Sequence, residues 1–116
     1  MLNALYTVEF GSGGNIGAGV AIFTSAGQVL GGDSQYYYTG TYSVDNGMLH
    51  SELNIKQFMS APGNFSVFGG SEPEFNLKLS AKMEDNALLV AKGFRSDDVN
   101  AHIEIKLTKQ TELAAT

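Results

Sequence analysis

Asp33 follows two glycines in "LGGDSQYYYTGTY", residues 30–42, and an acid placed there suits a catalytic carboxylate. The same residue type after Gly-Gly also suits a turn, where the carboxylate accepts a hydrogen bond from the backbone two residues on. No second carboxylate or base stands close by in sequence, which favours the turn. His50 and His102 are the two imidazoles of the chain, and each falls on the polar side of an alternating segment. Metal ligation needs at least one further ligand in reach, and solvent-facing histidines supply none. Ser51 follows His50 directly, but neighbours on a strand point to opposite faces, so the two form no nucleophile–base pair. An enzyme using Asp33, His50 or a tyrosine as its acid–base group is therefore the minority reading, and no catalytic residue, metal site or cofactor is assigned.

Tyrosines are the richer source of chemistry. Tyr36, Tyr37, Tyr38 and Tyr42 join an apolar ring to a hydroxyl, which suits both ligand cavities and partner surfaces. On a strand, Tyr36, Tyr38 and Tyr42 share one face and Tyr37 takes the other. Aromatic residues are also good strand formers, so the run has a purely structural explanation too. Three on one face point to a partly polar cavity, with Tyr36, Tyr38 and Tyr42 as candidate ligand-binding residues. "GSGGNIG", residues 11–17, has the look of a phosphate loop, but a strand-forming segment follows where a helix is required, and the lysine is missing.

The segments that must position these residues are short strands. Tyr6, Val8 and Phe10 alternate with Thr7 and Glu9. The run "IGAGVAIF" follows a glycine-rich connection, and Gln28 to Leu30 follow a turn in which Gly27 is free to take positive φ. The Asn46-Gly47 dipeptide predicts a type I′ hairpin. Leu49, Ser51, Leu53 and Ile55 oppose His50, Glu52, Asn54 and Lys56. Phe75 to Met83, "LLVAKGF" and Val99 to Leu107 supply the remaining alternation. Residues 57–73, with two prolines and a Gly-Gly pair, are the least defined; they allow one helical turn near 56–61 and a short strand over Phe65 to Phe68. "QTELAAT", residues 110–116, predicts a frayed tail. Eight or nine antiparallel strands with tight connections predict an all-β fold, a sandwich or a barrel, and consecutive pairing favours a small up-and-down barrel of about eight strands.

The chain of 116 residues is 43% apolar, enough for one domain with its own core. It has no cysteine, which removes disulfides and thiolate sites and is compatible with a cytoplasmic location. The first residues lack the basic region and apolar run of a signal peptide, and no run is long enough for a membrane helix. Net charge is −5, and positions 1–55 hold no lysine or arginine. A nucleic-acid groove needs clustered cations, so direct nucleic-acid binding is not expected.

In order and spacing, the N-terminal half resembles the GrlR family, negative regulators of type III secretion in enteric bacteria. The likeness runs through "ALYTVEF", "GAGVAIFTSAGQVLGGDSQYYYTGTYS" and "LH", over residues 4–55. Gly17, Gly19, Gly31, Gly32, Asp33, Tyr38 and Gly40 occupy the family's G-x-G, GGD and Y-x-G positions. The resemblance implies a lipocalin-like barrel with an apolar interior, a homodimer, and binding of a transcriptional activator without enzymatic activity. It also leaves room for a lipid-like small molecule inside. The family's acidic grip on the activator is reduced here to Asp45, within "SVDNG". Gly31, Gly32, Asp33 and Gly40 are expected to form the barrel corner, the glycines permitting the bend.

Overall fold

The computed structural model describes residues 2–12, 14–59 and 73–114. Eight antiparallel strands follow one another: β1 (Ala4–Ser12), β2 (Asn15–Phe23), β3 (Gln28–Gly32), β4 (Tyr36–Asp45), β5 (Met48–Gln57), β6 (Glu74–Lys82), β7 (Leu88–Arg95) and β8 (Asp98–Glu112). Each pairs with the next, and β8 returns to β1, so the sheet closes as an up-and-down barrel. No helix among the described residues is long and apolar enough to cross a membrane.

Alternation decides the faces. Tyr6 and Val8 of β1, Leu49 and Ile55 of β5, and Ile103, Ile105 and Leu107 of β8 are all buried, while Glu9, Glu52, Glu104 and Lys106 between them face out. Burying one such aliphatic side chain is worth about 1.5–3 kcal/mol, and shifting any strand by one residue would expose its whole apolar set. The charged positions point outward, the reverse of the alternation in a lipid-spanning barrel.

Turn chemistry sets the register. Asn46 and Gly47 take φ of 53° and 75°, and Asp45 pairs with Met48 across them. This is the two-residue connection that Asn-Gly predicts. Gly27 has φ of 85°, in the turn between β2 and β3.

Three expectations are corrected. Residues 110–112 are not a frayed tail: β8 continues through them, Thr111 pairs with Leu5 and Glu112 with Ala4, and Leu113 N–H donates to Asn3 O at 2.9 Å. A register shift in this ladder at Leu5/Tyr6 lets the pairing continue past the point where alternation fades. Gly31, Gly32 and Gly40 are strand residues and not turn residues. Gly31 and Gly32 end β3 and Gly40 lies inside β4, none with positive φ. Gly40 is required by closeness: a Cβ there would sit 2.0 Å from the carbonyl oxygen of Glu52 on β5. Of the helical turn expected near 56–61, Lys56 and Gln57 belong to β5 and so are not helical. The remainder of the suggested helical turn beyond Met59, and the suggested strand over Phe65 to Phe68, lie outside the described residues.

Candidate functional site

The barrel interior divides into a packed end and a hollow one. At the packed end, Tyr6, Phe23 and Tyr42 meet edge to face, with centroids 5.5 Å apart for Tyr6–Phe23 and 5.2 Å for Phe23–Tyr42. Such pairs add about 0.5–1.5 kcal/mol each beyond area burial. Buried hydroxyls need partners, and these have them. Tyr6 donates to Asn86 O at 2.7 Å, and the Tyr42 hydroxyl lies between Leu2 O at 2.9 Å and Thr24 O. Burial pushes both phenols above their ordinary pKa, the Tyr6 phenol further so through the negative charges of Glu112 and Asp85. Leu2, 5% exposed, completes the floor.

Beyond that floor is a cavity of about 300 Å³, at the lower end of the range for small-molecule sites. Val29, Leu49, Leu77, Ile103 and Leu107 are among its walls. It extends to the end of the barrel where Phe10, Gly17 and the β3–β4 turn (Asp33–Gln35) stand. Among the described residues, Asp33 is the one charged side chain in its lining, and no lysine, arginine or histidine joins it.

The tyrosine run reaches this cavity in part. Tyr36, Tyr38 and Tyr42 all face inward, and Tyr37 is 39% exposed. Tyr36 and Tyr38 line the cavity; Tyr42, two steps of the alternation deeper than Tyr38, is spent on the aromatic floor instead. Periodicity tells which face a residue takes but not its depth along the barrel. Tyr36 stacks edge to face on Phe75 at 5.9 Å, and the Arg95 guanidinium covers the other neighbourhood of that ring, 5.1 Å from its centroid. Arg95 is only 9% exposed and grips Asp97 through two bonds of 2.9 and 2.8 Å, which hold the Asp97 carboxyl below its usual pKa. Sequence reading missed Arg95. Its trace was the "RSDD" turn, which places an acid two residues after a strand-ending arginine.

Asp33 holds the β3–β4 turn together. Its Oδ1 accepts from Gln35 N–H and Tyr36 N–H, both at 2.8 Å, and its Oδ2 accepts from the Tyr38 hydroxyl. Asp33 N–H donates in turn to Tyr36 O at 2.9 Å. Burial, reinforced by the bond to Asp33 and its negative charge, raises the Tyr38 phenol far above its ordinary pKa. Gly19 makes room for this pair, since a Cβ there would lie 3.0 Å from the Tyr38 hydroxyl and 3.2 Å from Asp33 Cβ. The strand glycine and the turn acid thus serve one packed unit. Beside them, Gln35 Oε1 is buried with no hydrogen-bond partner among the described residues, and the Gln35 backbone oxygen accepts from Phe58 and Met59 N–H.

No model of a known protein family matches this sequence, and neither does any curated protein.

The other candidates fall apart in space. His50 and His102 are exposed on the outer surface, and Ser51 points the opposite way from His50, buried against the cavity with Oγ donating to Thr41 O at 3.0 Å. Asp45 is exposed at the far end of β4 from Tyr36, beside the Asn46-Gly47 turn. Among the described residues no group of three His, Asp or Glu side chains is placed to hold a metal.

Proposed function

We propose that this barrel is a non-enzymatic binding module that takes a small, mainly apolar ligand into its interior. The observation that carries the reading is the cavity, walled mainly by aliphatic and aromatic side chains, with its one charged group among the described residues, Asp33, at one end beside Ser34 and Gln35. A core packed for stability alone leaves few voids larger than a water molecule, so a space of about 300 Å³ calls for an occupant. The engagement of both Asp33 oxygens in the turn supports a structural role for that acid in place of a catalytic one. The test is titration with Nile red, a neutral apolar dye, against the wild type and Ala91→Phe, which places a ring in the cavity. Saturable fluorescence in the wild type that is lost in the folded variant is the expected result. Equal binding by both would put the dye outside the barrel and overturn the reading.

A second reading keeps the regulatory role that the GrlR resemblance implies, and the outer surface favours it. Val20, Leu30 and Tyr37 are exposed on neighbouring strands β2, β3 and β4, with Phe58 beside Tyr37 at 6.4 Å between rings. An activator held there would be held by apolar contact, with Asp45 at the other end of β4 contributing little. Its capture would weaken only slightly on raising salt, because screening acts on separated charges; collapse of a pull-down in high salt would refute apolar docking.

A further inference from the structure

The polar end of the cavity has a chemical bias, and it narrows the ligand class. Building on the ligand-binding reading above, we infer that the barrel selects amphiphiles whose head group donates hydrogen bonds and carries no negative charge, and that it rejects fatty acids as their anions.

The side chains at that end are set to accept. Asp33 contributes the only formal charge in the lining among the described residues, and it is negative. The single proton of the Tyr38 hydroxyl is already committed to Asp33 Oδ2, so toward the cavity that oxygen offers lone pairs. Gln35 Oε1 adds a buried carbonyl oxygen with no partner among the described residues, a state that favours any arrangement bringing a donor to it. A ligand hydroxyl or ammonium arriving here finds acceptors. A carboxylate meets a fixed negative charge in a partly desolvated site, where charges act more strongly than in water.

Nothing in the lining reverses that bias. Among the described residues no lysine, arginine or histidine lines the cavity. Arg95, the buried cation among the described residues, is turned onto Phe75 and Asp97 and is not part of the wall. The donors in the lining near this end, among them the Ser34 hydroxyl, the Gln35 amide and the Tyr36 hydroxyl, are neutral and do not offset a second full negative charge. The apolar walls fix the other half of the ligand as an alkyl or similar chain.

The experiment displaces Nile red from the wild-type protein with decanol, decylamine and decanoic acid at neutral pH, where the acid is ionised and the chain length is constant. Decanol and decylamine are expected to displace the dye, and decanoic acid to be at least about tenfold weaker, equivalent to about 1.4 kcal/mol. In Asp33→Asn, which keeps an acceptor oxygen and loses the charge, the deficit of decanoic acid is expected to shrink at least about threefold. Tyr38→Phe, which removes the acceptor oxygen over the turn, is expected to weaken decanol and leave decanoic acid unchanged. Decanoic acid matching or exceeding decanol in the wild type would overturn the head-group inference while leaving the ligand-binding reading intact. Dye binding with no displacement by any of the three would overturn it too. Failure of Nile red itself to bind would remove both.

Discussion

Asp33 is the residue on which the turn, the tyrosine and the polar end of the cavity converge, and its removal has a magnitude that follows from its bonds. The carboxylate takes two backbone N–H donors at 2.8 Å and the Tyr38 hydroxyl. At about 1 kcal/mol net for each bond, Asp33→Ala costs about 3 kcal/mol, because all three donors lose their acceptor together. An unfolding entropy of about 2.1 cal/mol/K per residue over 116 residues converts this to a fall in Tm of about 12 °C. Asp33→Asn retains Oδ1 for both N–H groups and turns its amide toward the Tyr38 oxygen, so its cost is about 1 kcal/mol, or about 4 °C. Thermal unfolding followed by circular dichroism reads both shifts. A Tm for Asp33→Ala within about 2 °C of wild type would show that the bond from Asp33 N–H to Tyr36 O holds the turn unaided. Equal losses in the two variants would show that the charge matters and the accepted bonds do not.

Three further outcomes are expected. Gly40→Ala drives a Cβ against the Glu52 carbonyl oxygen and should cost more than about 3 kcal/mol, whereas Gly47→Ala meets open space and pays only for its φ of 75°, about 1–2 kcal/mol; midpoints of urea unfolding compare them, and equal midpoints would contradict the β4–β5 contact. Tyr6, Tyr38 and Tyr42 have raised folded-state pKa values, so the unfolded chain releases these protons first and stability falls as pH rises above about 10; tyrosinate absorbance from these rings should appear together with loss of the sheet signal, and ionisation of all five tyrosines with the fold intact would refute their burial. Deleting residues 111–116 removes the pairing of Thr111 and Glu112 with β1 and the bond from Leu113 to Asn3, lowering stability by about 2 kcal/mol in the same urea assay; an unchanged midpoint would restore the frayed tail.

Strand positions and their faces were legible from alternation alone, because period two is a local property of each segment. Tyr36, Tyr38 and Tyr42 point inward as their spacing demands, and Asn46-Gly47 turns as its φ preferences demand. Depth along the barrel was not legible. Tyr42 lies on the same face as Tyr38 yet belongs to the floor, because β4 runs from the hollow end to the packed one. The extension of β8 was hidden for a related reason: "QTE" has no apolar alternation, and its order comes from β1 across the seam. Gly40 looked like a corner because glycine's two uses, bending and close approach, share one letter. Gln35 carried no pattern, and Arg95 only the trace of its turn; the bonds from Phe58 and Met59 to the Gln35 carbonyl and the packing of the guanidinium onto Phe75 give them a place.

The seam between β1 and β8 joins the two ends of the chain, with Asn3 bonded to Leu113. During synthesis β1 emerges first, yet one of its edges has no partner until the last strand has left the ribosome. For that interval the nascent barrel is an open, curling sheet with an unguarded margin, the form in which sheets find wrong partners. The same adjacency brings the start of β1 beside the end of β8. A short linker across the seam and new termini in the Asn46-Gly47 turn would reorder synthesis without altering a single strand pair, moving the vulnerable margin to β4 and β5.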